Sequence, residues 1–390
     1  MNPWAFSPNV FLVLITMKGI FTMKYLLMKK IAVASASAGW LLGALAGMGT
    51  AAGATTYNFT DLGTLGGSVS GATGINSSGE VVGVAATASG SGHAFTYTTT
   101  GGMVDLGTLG GDSSIATGIN SSGEVVGVAA TASGSNHAFT YTTTGGMVDL
   151  GTLGGEYSVA NGINSSGEVV GKADTASGAY HAFTYTTTGG MVDLGTLGGD
   201  SSIATGINSS GEVVGEADTA SGLLHAFTYT TTGGMAELGT LGGSSSVATG
   251  INSSGEVVGE ANTASGLLHA FTYTTTGGMV DLGTLSGSNS EANGINDLGV
   301  VVGYAGNYAF VYSNGTLTNL NTVTVNLPVG FSLTSAYAIN LSGYIVGYGT
   351  NAAGLRHAFL LTPIATPEPT SLAMLAVGGV ALLIRRRKTV

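Results

Sequence analysis

The chain has 390 residues and no Cys, which excludes disulfide bonds and thiolate metal sites. Only 8% of the residues are charged, and the formal net charge of −11 argues against nucleic acid as a partner, because phosphate backbones require a basic surface. The 67 Gly follow no collagen-like period, which indicates turns and closely packed strands.

Residues 1–54 have the order of a secretory signal. Two lysines, Lys29 and Lys30, precede an apolar stretch over residues 31–48, and the small residues Ala52 and Ala54 follow it. A basic region, an apolar region and a small-x-small site in this order predict export with cleavage after Ala54. An uncleaved membrane helix over the same stretch is the alternative interpretation.

Residues 55–363 contain one unit of about 44 residues written seven times, which is the sequence signature of a repeat architecture. Within the unit 101–144, strand candidates lie at 101–107, 114–120, 124–129 and 137–142, separated by turn sequences. No helical periodicity interrupts the array. Four short strands per unit match the size of a propeller blade, so we predict an all-β, seven-bladed β-propeller with helical targeting segments at both ends.

The two ends of the array are complementary. It opens with residues 57–62, which match the strand that ends each unit, and it closes on residues 357–361, where that strand is missing. We therefore expect the N-terminal strand to complete the last blade and to remove two exposed edges. A parallel β-solenoid with two coils per unit is the alternative fold, but it would need capping elements that the sequence does not show.

The repeated strings His-Ala-Phe, Asp-Leu-Gly-Thr-Leu-Gly-Gly and Gly-Ile-Asn give the unit a strong likeness to a known family. Over roughly residues 57–362 it resembles the bacterial extracellular HAF repeat family. The resemblance implies an extracellular repeat protein, and it implies no particular activity.

Six His begin the same strand in their units and could in principle bind metal. Equivalent residues on neighbouring blades are expected to lie about 10 Å apart, too far to share one ion with ligands about 2 Å away. The Asp of Asp-Leu-Gly is interpreted as a turn cap rather than a Ca²⁺ ligand, because each unit supplies only one carboxylate there. No catalytic, metal or cofactor site is predicted. We interpret the imidazoles as structural, each hydrogen-bonded to its own blade's loop, for example to a carbonyl: His93, His137, His181, His225, His269 and His357.

The units differ mainly at two places, one after Val-Val-Gly and one before His. Both places flank the Thr-Ala-Ser-Gly loop, so one rim of the ring should carry the variable side chains. A ligand surface at this rim is a hypothesis, and relaxed drift in exposed loops is its alternative. The rim residues are Lys172, Tyr180, Glu216, Leu224, Glu260 and Leu268.

The last segment, residues 364–390, combines three parts in order: Pro367-Glu368-Pro369, an apolar run over 371–384, and the basic cluster Arg385, Arg386, Arg387 and Lys388. At 1.5 Å per residue the run is short for a bilayer core of about 30 Å, and the basic cluster would hold its end in the cytoplasm. The arrangement resembles the PEP-CTERM sorting signal of Gram-negative bacteria. The resemblance implies cleavage near the Pro-Glu-Pro motif by an exosortase-type membrane peptidase. A plain tail anchor is the alternative.

Together these features predict an exported, surface-sorted, non-enzymatic protein that binds or builds the cell envelope or the extracellular matrix. The expected partners are the Sec export machinery, an exosortase-type peptidase, the inner membrane during transient anchoring, and extracellular polysaccharide as a candidate ligand. The alternative is a propeller enzyme acting on extracellular polysaccharide. We disfavour it because nearly identical units supply symmetry rather than catalytic groups converging at one place.

Overall fold

The computed structural model describes residues 55–287 and 289–364. They form a seven-bladed β-propeller of antiparallel sheets, which confirms the predicted fold over the solenoid alternative. The predictions for the signal cleavage site, the sorting motif and the helical end segments fall outside the described residues. Among those residues, no helix has both the length and the apolar character needed to cross a membrane.

Four strands build each of blades 1 to 6, and blade 7 is built from the two ends of the array. Blades 1 to 6 are β2–β5, β6–β9, β10–β13, β14–β17, β18–β21 and β22–β25, and blade 7 has the order β26-β1-β29-β28-β27. The elements are β1 (Tyr57–Asp61), β2 (Gly66–Ile75), β3 (Val81–Thr87), β4 (Gly92–Thr98), β5 (Gly102–Asp105), β6 (Gly110–Ile119), β7 (Val125–Thr131), β8 (Asn136–Thr142), β9 (Gly146–Asp149), β10 (Gly154–Ile163), β11 (Val169–Thr175), β12 (Tyr180–Thr186), β13 (Gly190–Asp193), β14 (Gly198–Ile207), β15 (Val213–Thr219), β16 (Leu224–Thr230), β17 (Gly234–Gly239), β18 (Gly242–Ile251), β19 (Val257–Thr263), β20 (Leu268–Thr274), β21 (Gly278–Gly283), β22 (Ser290–Ile295), β23 (Val301–Ala305), β24 (Tyr308–Ser313), β25 (Thr316–Asn319), α1 (Leu320–Val323), β26 (Thr324–Val325), β27 (Ser332–Ile339), β28 (Ile345–Thr350) and β29 (Arg356–Pro363).

The structural blade is out of phase with the sequence unit. The first strand of the unit 101–144, β5, is the outermost strand of blade 1, and the other three strands, β6 to β8, form blade 2 together with β9 of the next unit. The innermost strand β6 begins at Gly110, four residues before the predicted start. It does so because a bulge between the pairs Gly110–Thr131 and Ser114–Ala129 lets the Gly-rich segment join the ladder.

The hydrophobic core lies between successive blades. Phe139 is fully buried, and it packs with Val82 and Ala94 of blade 1 and with Val125 of its own blade 2. The third residue of each Val-Val-Gly must be Gly, because a methyl group on Gly127 would collide with the backbone of the innermost strand. Small and apolar residues thus let the sheets of successive blades pack closely.

A ring of buried Asn side chains joins the blades at the hairpins between their first two strands. Asn208 Oδ1 accepts hydrogen bonds from the Ser210 and Glu212 backbone N–H groups, and its Nδ2 donates to the Asn252 carbonyl of the next blade at 3.3 Å. The last Asn donates to the first at 3.0 Å, so the ring is closed. Its members are Asn76, Asn120, Asn164, Asn208, Asn252, Asn296 and Asn340.

The N-terminal strand completes blade 7, as the sequence predicted. β1 pairs antiparallel with β29, from Tyr57 opposite Pro363 to Asp61 opposite Phe359. The Phe59 ring lies 4.7 Å from the Phe331 ring. The strand β26 was not predicted; it adds a short parallel fifth strand outside β1.

The ring has two faces. We call the end that carries the hairpins between the first and second strands the hairpin face; in blade 1 this hairpin is residues 76–79. The opposite end carries the Thr-Ala-Ser-Gly loops and the Leu-Gly-Thr-Leu segments between blades, and we call it the loop face. Each second strand therefore runs from the hairpin face to the loop face.

Candidate functional site

Each repeated His pairs with a carboxylate of its own blade at the loop face. His181 Nδ1 lies 2.8 Å from Asp193 Oδ2, and Asp193 Oδ1 accepts a hydrogen bond from the Gly195 backbone N–H at 2.7 Å. The structural interpretation of the His thus has a defined geometry, but the acceptor is a carboxylate rather than a carbonyl. The turn cap predicted for the Asp is confirmed. The pairs are His93–Asp105, His137–Asp149, His181–Asp193, His225–Glu237, His269–Asp281 and His357–Asp61.

Sequence reasoning missed this pairing although blade 6 carries its signal. There Tyr308 stands in the register position of the His, and Asn319 stands in that of the Asp. Both partners are lost in the same blade, as expected for two side chains that satisfy each other. The remaining imidazole nitrogens have no shared ligand position, and no cluster of three or more metal-ligating side chains occurs in the described part of the chain.

The variable residues after Val-Val-Gly come together along one side of the ring. They lie on the second strands of blades 3 to 7, each opposite a residue of the innermost strand of its own blade. Together with three neighbours they form a continuous band of polar side chains, which we call the charged arc. It consists of Lys172, Glu216, Glu260, Glu291, Tyr304, Tyr337, Tyr348 and Arg356.

The two ends of the charged arc each hold a cation against aromatic rings. Lys172 Nζ lies 5.1 Å from the Tyr180 ring centroid and 5.8 Å from that of Tyr157. The Arg356 guanidinium lies 3.6 Å from the Tyr348 ring centroid. All three distances are in the range of cation–π contacts. Of the 10 Lys and Arg in the chain, only these two lie in residues 55–364, against 20 Asp and Glu.

Arg356 reaches across the blade boundary because blade 1 leaves room for it. A methyl group on Gly71 of the innermost strand β2 would lie 2.8 Å from the Arg356 guanidinium. In blades 2 and 3 the residue at this register position is Ile115 or Val159. The single Gly and the single Arg therefore fit each other across the seam between blades 7 and 1.

Three carboxyl groups occupy the middle of the charged arc. Burial raises the pKa of Glu260 to about 8, and the nearby carboxylates of Glu291 and Glu216 add to the shift. Burial also raises the pKa of Glu216, which the Lys172 ammonium partly offsets. For Glu291, burial raises the pKa and a hydrogen bond with Tyr304 opposes the rise. Proton uptake at Glu260 is thus coupled to its neighbours.

The Glu260 shift predicts a pH-dependent stability. Because its pKa is higher in the folded state than the usual value of 4.5, this group stabilises the fold at low pH, and that contribution is lost as pH rises through about 8. We expect the midpoint of thermal unfolding to fall less between pH 5 and pH 9 in Glu260→Gln than in the wild type. Glu156→Gln, which alters an exposed carboxylate, is the matched control. Equal slopes in Glu260→Gln and the wild type would contradict the assignment.

The loop face also exposes apolar side chains around the charged arc. Tyr180 is 39% exposed and Val329 is 99% exposed, while the predicted rim residues Leu224 and Leu268 are only partly exposed. Their neighbours Leu223 and Leu267 are the more exposed of each pair. The exposed apolar set on this face is Val69, Ile115, Tyr180, Leu223, Leu267, Tyr308, Val329 and Leu355.

A cavity of about 410 Å³ lies on the axis at the hairpin face. Its wall repeats Ile-Asn-Ser from five blades, with Asp297 and Leu341 replacing Ser in blades 6 and 7. The Asn oxygens are already used by the hairpins, so the wall offers little that distinguishes one ligand from another. The charged arc is the more specific candidate site.

Residues 365–388 match the PEP-CTERM protein-sorting motif. The protein is an exported exosortase substrate. Surface sorting follows from the same motif, whose C-terminal segment is of the membrane-anchor type. No curated protein sequence matches the chain, and the resemblance to the HAF repeat family stays a prediction.

Solved structures similar to this chain include several other proteins at low identity. They are TolB from Acinetobacter baumannii (13% identity, 75% of this chain and 65% of that chain, TM-score 0.41), a gluconolactonase from Xanthomonas campestris (8%, 80% and 96%, 0.39) and AofleA from Arthrobotrys oligospora (12%, 63% and 84%, 0.32). The chain thus spans just under two thirds of the length of TolB.

Proposed function

We propose that this exported propeller is a non-enzymatic binding component of the cell surface or extracellular matrix, and that its loop face binds extracellular polysaccharide. The observation that carries the proposal is the charged arc. In an array whose blades are otherwise nearly identical, the residues that vary after Val-Val-Gly in blades 3 to 7 collect in one band of charged and tyrosine side chains.

The chemistry of the charged arc suits a sugar polymer. Tyr rings offer flat apolar surfaces with a hydroxyl at the edge, and carboxylate and guanidinium groups form paired hydrogen bonds with vicinal hydroxyls. Tyr337 and Tyr348 lie 5.9 Å apart at 31° next to Arg356, which provides such a combination at one end of the band. The exposed Tyr180 beside Lys172 provides a second one at the other end.

One observation favours the alternative of a polysaccharide-cleaving enzyme. Burial raises the pKa of Glu260 to about 8 and the nearby Glu291 adds to the shift, and a carboxylic acid held protonated beside a second carboxyl group is an arrangement that glycoside hydrolysis uses. We keep this as the second candidate. Its residues differ from those at the two aromatic ends, so the two functions can be separated by mutation.

Binding can be tested on a glycan array with purified residues 55–364, which close on themselves through β1 and β29. We expect Tyr348→Ala with Arg356→Ala, and separately Tyr180→Ser with Leu224→Ser, to weaken binding at least tenfold, about 1.4 kcal/mol, because stacking and paired hydrogen bonds are lost. Val104→Ser on the outermost strand of blade 1 also changes an exposed apolar residue, and it should bind as the wild type does.

Unchanged affinity in both double variants would contradict the proposed site. A reducing-end assay on the bound glycans separates the two functions. Release of sugar by the wild type but not by Glu260→Gln would establish the enzyme, whereas binding without release supports the binding protein.

A further inference from the structure

Both ends of the described chain lie at the hairpin face of blade 7. β29 starts at Arg356 on the loop face and ends beside the blade 7 hairpin, where a methyl group on Gly343 would lie 3.6 Å from the Pro363 ring. The Ile364 backbone N–H donates to the Thr56 carbonyl at 2.8 Å. The sorting motif begins at the next residue, 365, so the anchor segment leaves from this face.

The hairpin beside this exit, that of blade 7, and the neighbouring hairpin of blade 6 differ from the others. In blades 1 to 5 they read Asn-Ser-Ser-Gly-Glu, whereas blade 6 reads Asn-Asp-Leu-Gly-Val and blade 7 reads Asn-Leu-Ser-Gly-Tyr. The new leucines point into solvent, since Leu298 is 70% exposed and Leu341 is 56% exposed. We call these two hairpins, residues 296–300 and 340–344, the apolar sector.

The negative charges of the hairpin face lie mainly in the blades that lack the exposed leucines. Each hairpin of blades 1 to 5 ends with a glutamate, whereas the two hairpins of the apolar sector end with Val300 and Tyr344. The one carboxylate within the sector, that of Asp297, accepts a hydrogen bond from the Ser253 backbone N–H of blade 5 at 2.9 Å. The five acidic hairpins carry Glu80, Glu124, Glu168, Glu212 and Glu256.

We propose that the apolar sector rests on the lipid surface while the anchor segment is uncleaved, with Leu298 and Leu341 in the membrane interface and the loop face turned away. Ile364 is seven residues from the start of the apolar run at Ser371, a reach of at most about 25 Å. Two leucines alone would bind lipid weakly, but a tether this short keeps them at high local concentration beside the surface.

The acidic hairpins determine how the propeller tilts relative to the membrane surface. Anionic headgroups repel carboxylates, so blades 1 to 5 lift away while blades 6 and 7 make contact. In this orientation the charged arc faces away from the membrane before the chain is released. The proposal stands independently of what the loop face binds.

The absence of Cys allows a direct test with the full-length chain in vesicles of phosphatidylcholine and phosphatidylglycerol that carry nitroxide on their acyl chains. Single-Cys variants carry a fluorophore at Leu341→Cys in the apolar sector, at Ser165→Cys in the same hairpin position of blade 3, or at Ser177→Cys on the loop face. Only protein that floats with the vesicles is measured. We expect quenching several-fold stronger at residue 341 than at residue 165, and none at residue 177.

A second variant distinguishes lipid contact from mere proximity. With the fluorophore at Ser342→Cys, the change Leu298→Ser with Leu341→Ser restores residues found in the other blades and should fold normally. Quenching should then fall to the level of the residue 165 probe. Equal quenching at residues 341 and 177, no loss in the double variant, or failure of the full-length chain to float with vesicles would each overturn the proposal.

Discussion

A chain that begins at Gly63 lacks β1. We expect it to show no cooperative thermal unfolding transition at or near the midpoint temperature of the wild type. The deletion removes Tyr57 and Leu62, which are 4% and 5% exposed, and the partner of the whole outer edge of β29. Two buried side chains at about 1.5–3 kcal/mol each already approach the 5–15 kcal/mol that typically holds a domain together. The uncovered edge would also favour aggregation.

The matched control is a chain that begins at Thr55, which keeps every residue of β1. Thermal unfolding followed by circular dichroism, together with the elution volume of each protein, compares the two. A truncated chain that unfolds at the same temperature as its control and stays monomeric would show that ring closure contributes little. That result would contradict the structural role assigned to β1.

Asn208→Ala is expected to destabilise the propeller by about 2–4 kcal/mol. Asn208 is 5% exposed, and its side chain satisfies two backbone N–H groups of its hairpin as well as the carbonyl of Asn252 in the next blade. Alanine removes the partner of the buried Asn252 carbonyl and of two part-buried N–H groups, and leaving such groups unsatisfied costs more than the net value of the bonds themselves. The change weakens a turn and a blade boundary at once.

Ser209→Ala, at the neighbouring residue of the same hairpin, is the control because Ser209 is exposed and lines only the axial cavity. Denaturant unfolding of both variants gives the two free energies of unfolding. A loss of less than 1 kcal/mol in Asn208→Ala, about the net value of a single hydrogen bond, would show that the Asn ring is not what holds the blades in register.

The sequence was sufficient to predict blade number, strand positions and closure. Repeat spacing is a direct count, and the match between residues 57–62 and the strand missing from the last unit specified which strands pair. The start of β6 was placed too late because the bulge at Gly110 depends on the partner strand β7, which local propensity does not encode. Likewise, the offset between the sequence unit and the structural blade depends on which strands pair, and composition does not reveal it.

Three of the eight residues of the charged arc were predicted from the sequence. Lys172, Glu216 and Glu260 were predicted because they vary at a fixed repeat position. Glu291, Tyr337 and Arg356 were missed because they lie at other repeat positions and meet the first set only across blade boundaries. The pairing of Gly71 with Arg356 is the clearest case, since these residues are far apart in sequence and adjacent only after closure.

The third strands of blades 1 to 5 have nearly the same sequence as one another. During folding, β1 could therefore pair with any of them instead of with β29. Closing early on any of them would give a smaller ring. Only at β29 does β1 also meet Phe331 and Asn326, from a segment that no other unit contains. The contacts that only the last unit provides therefore determine where β1 closes the ring. They favour a ring of seven blades over one of five or six.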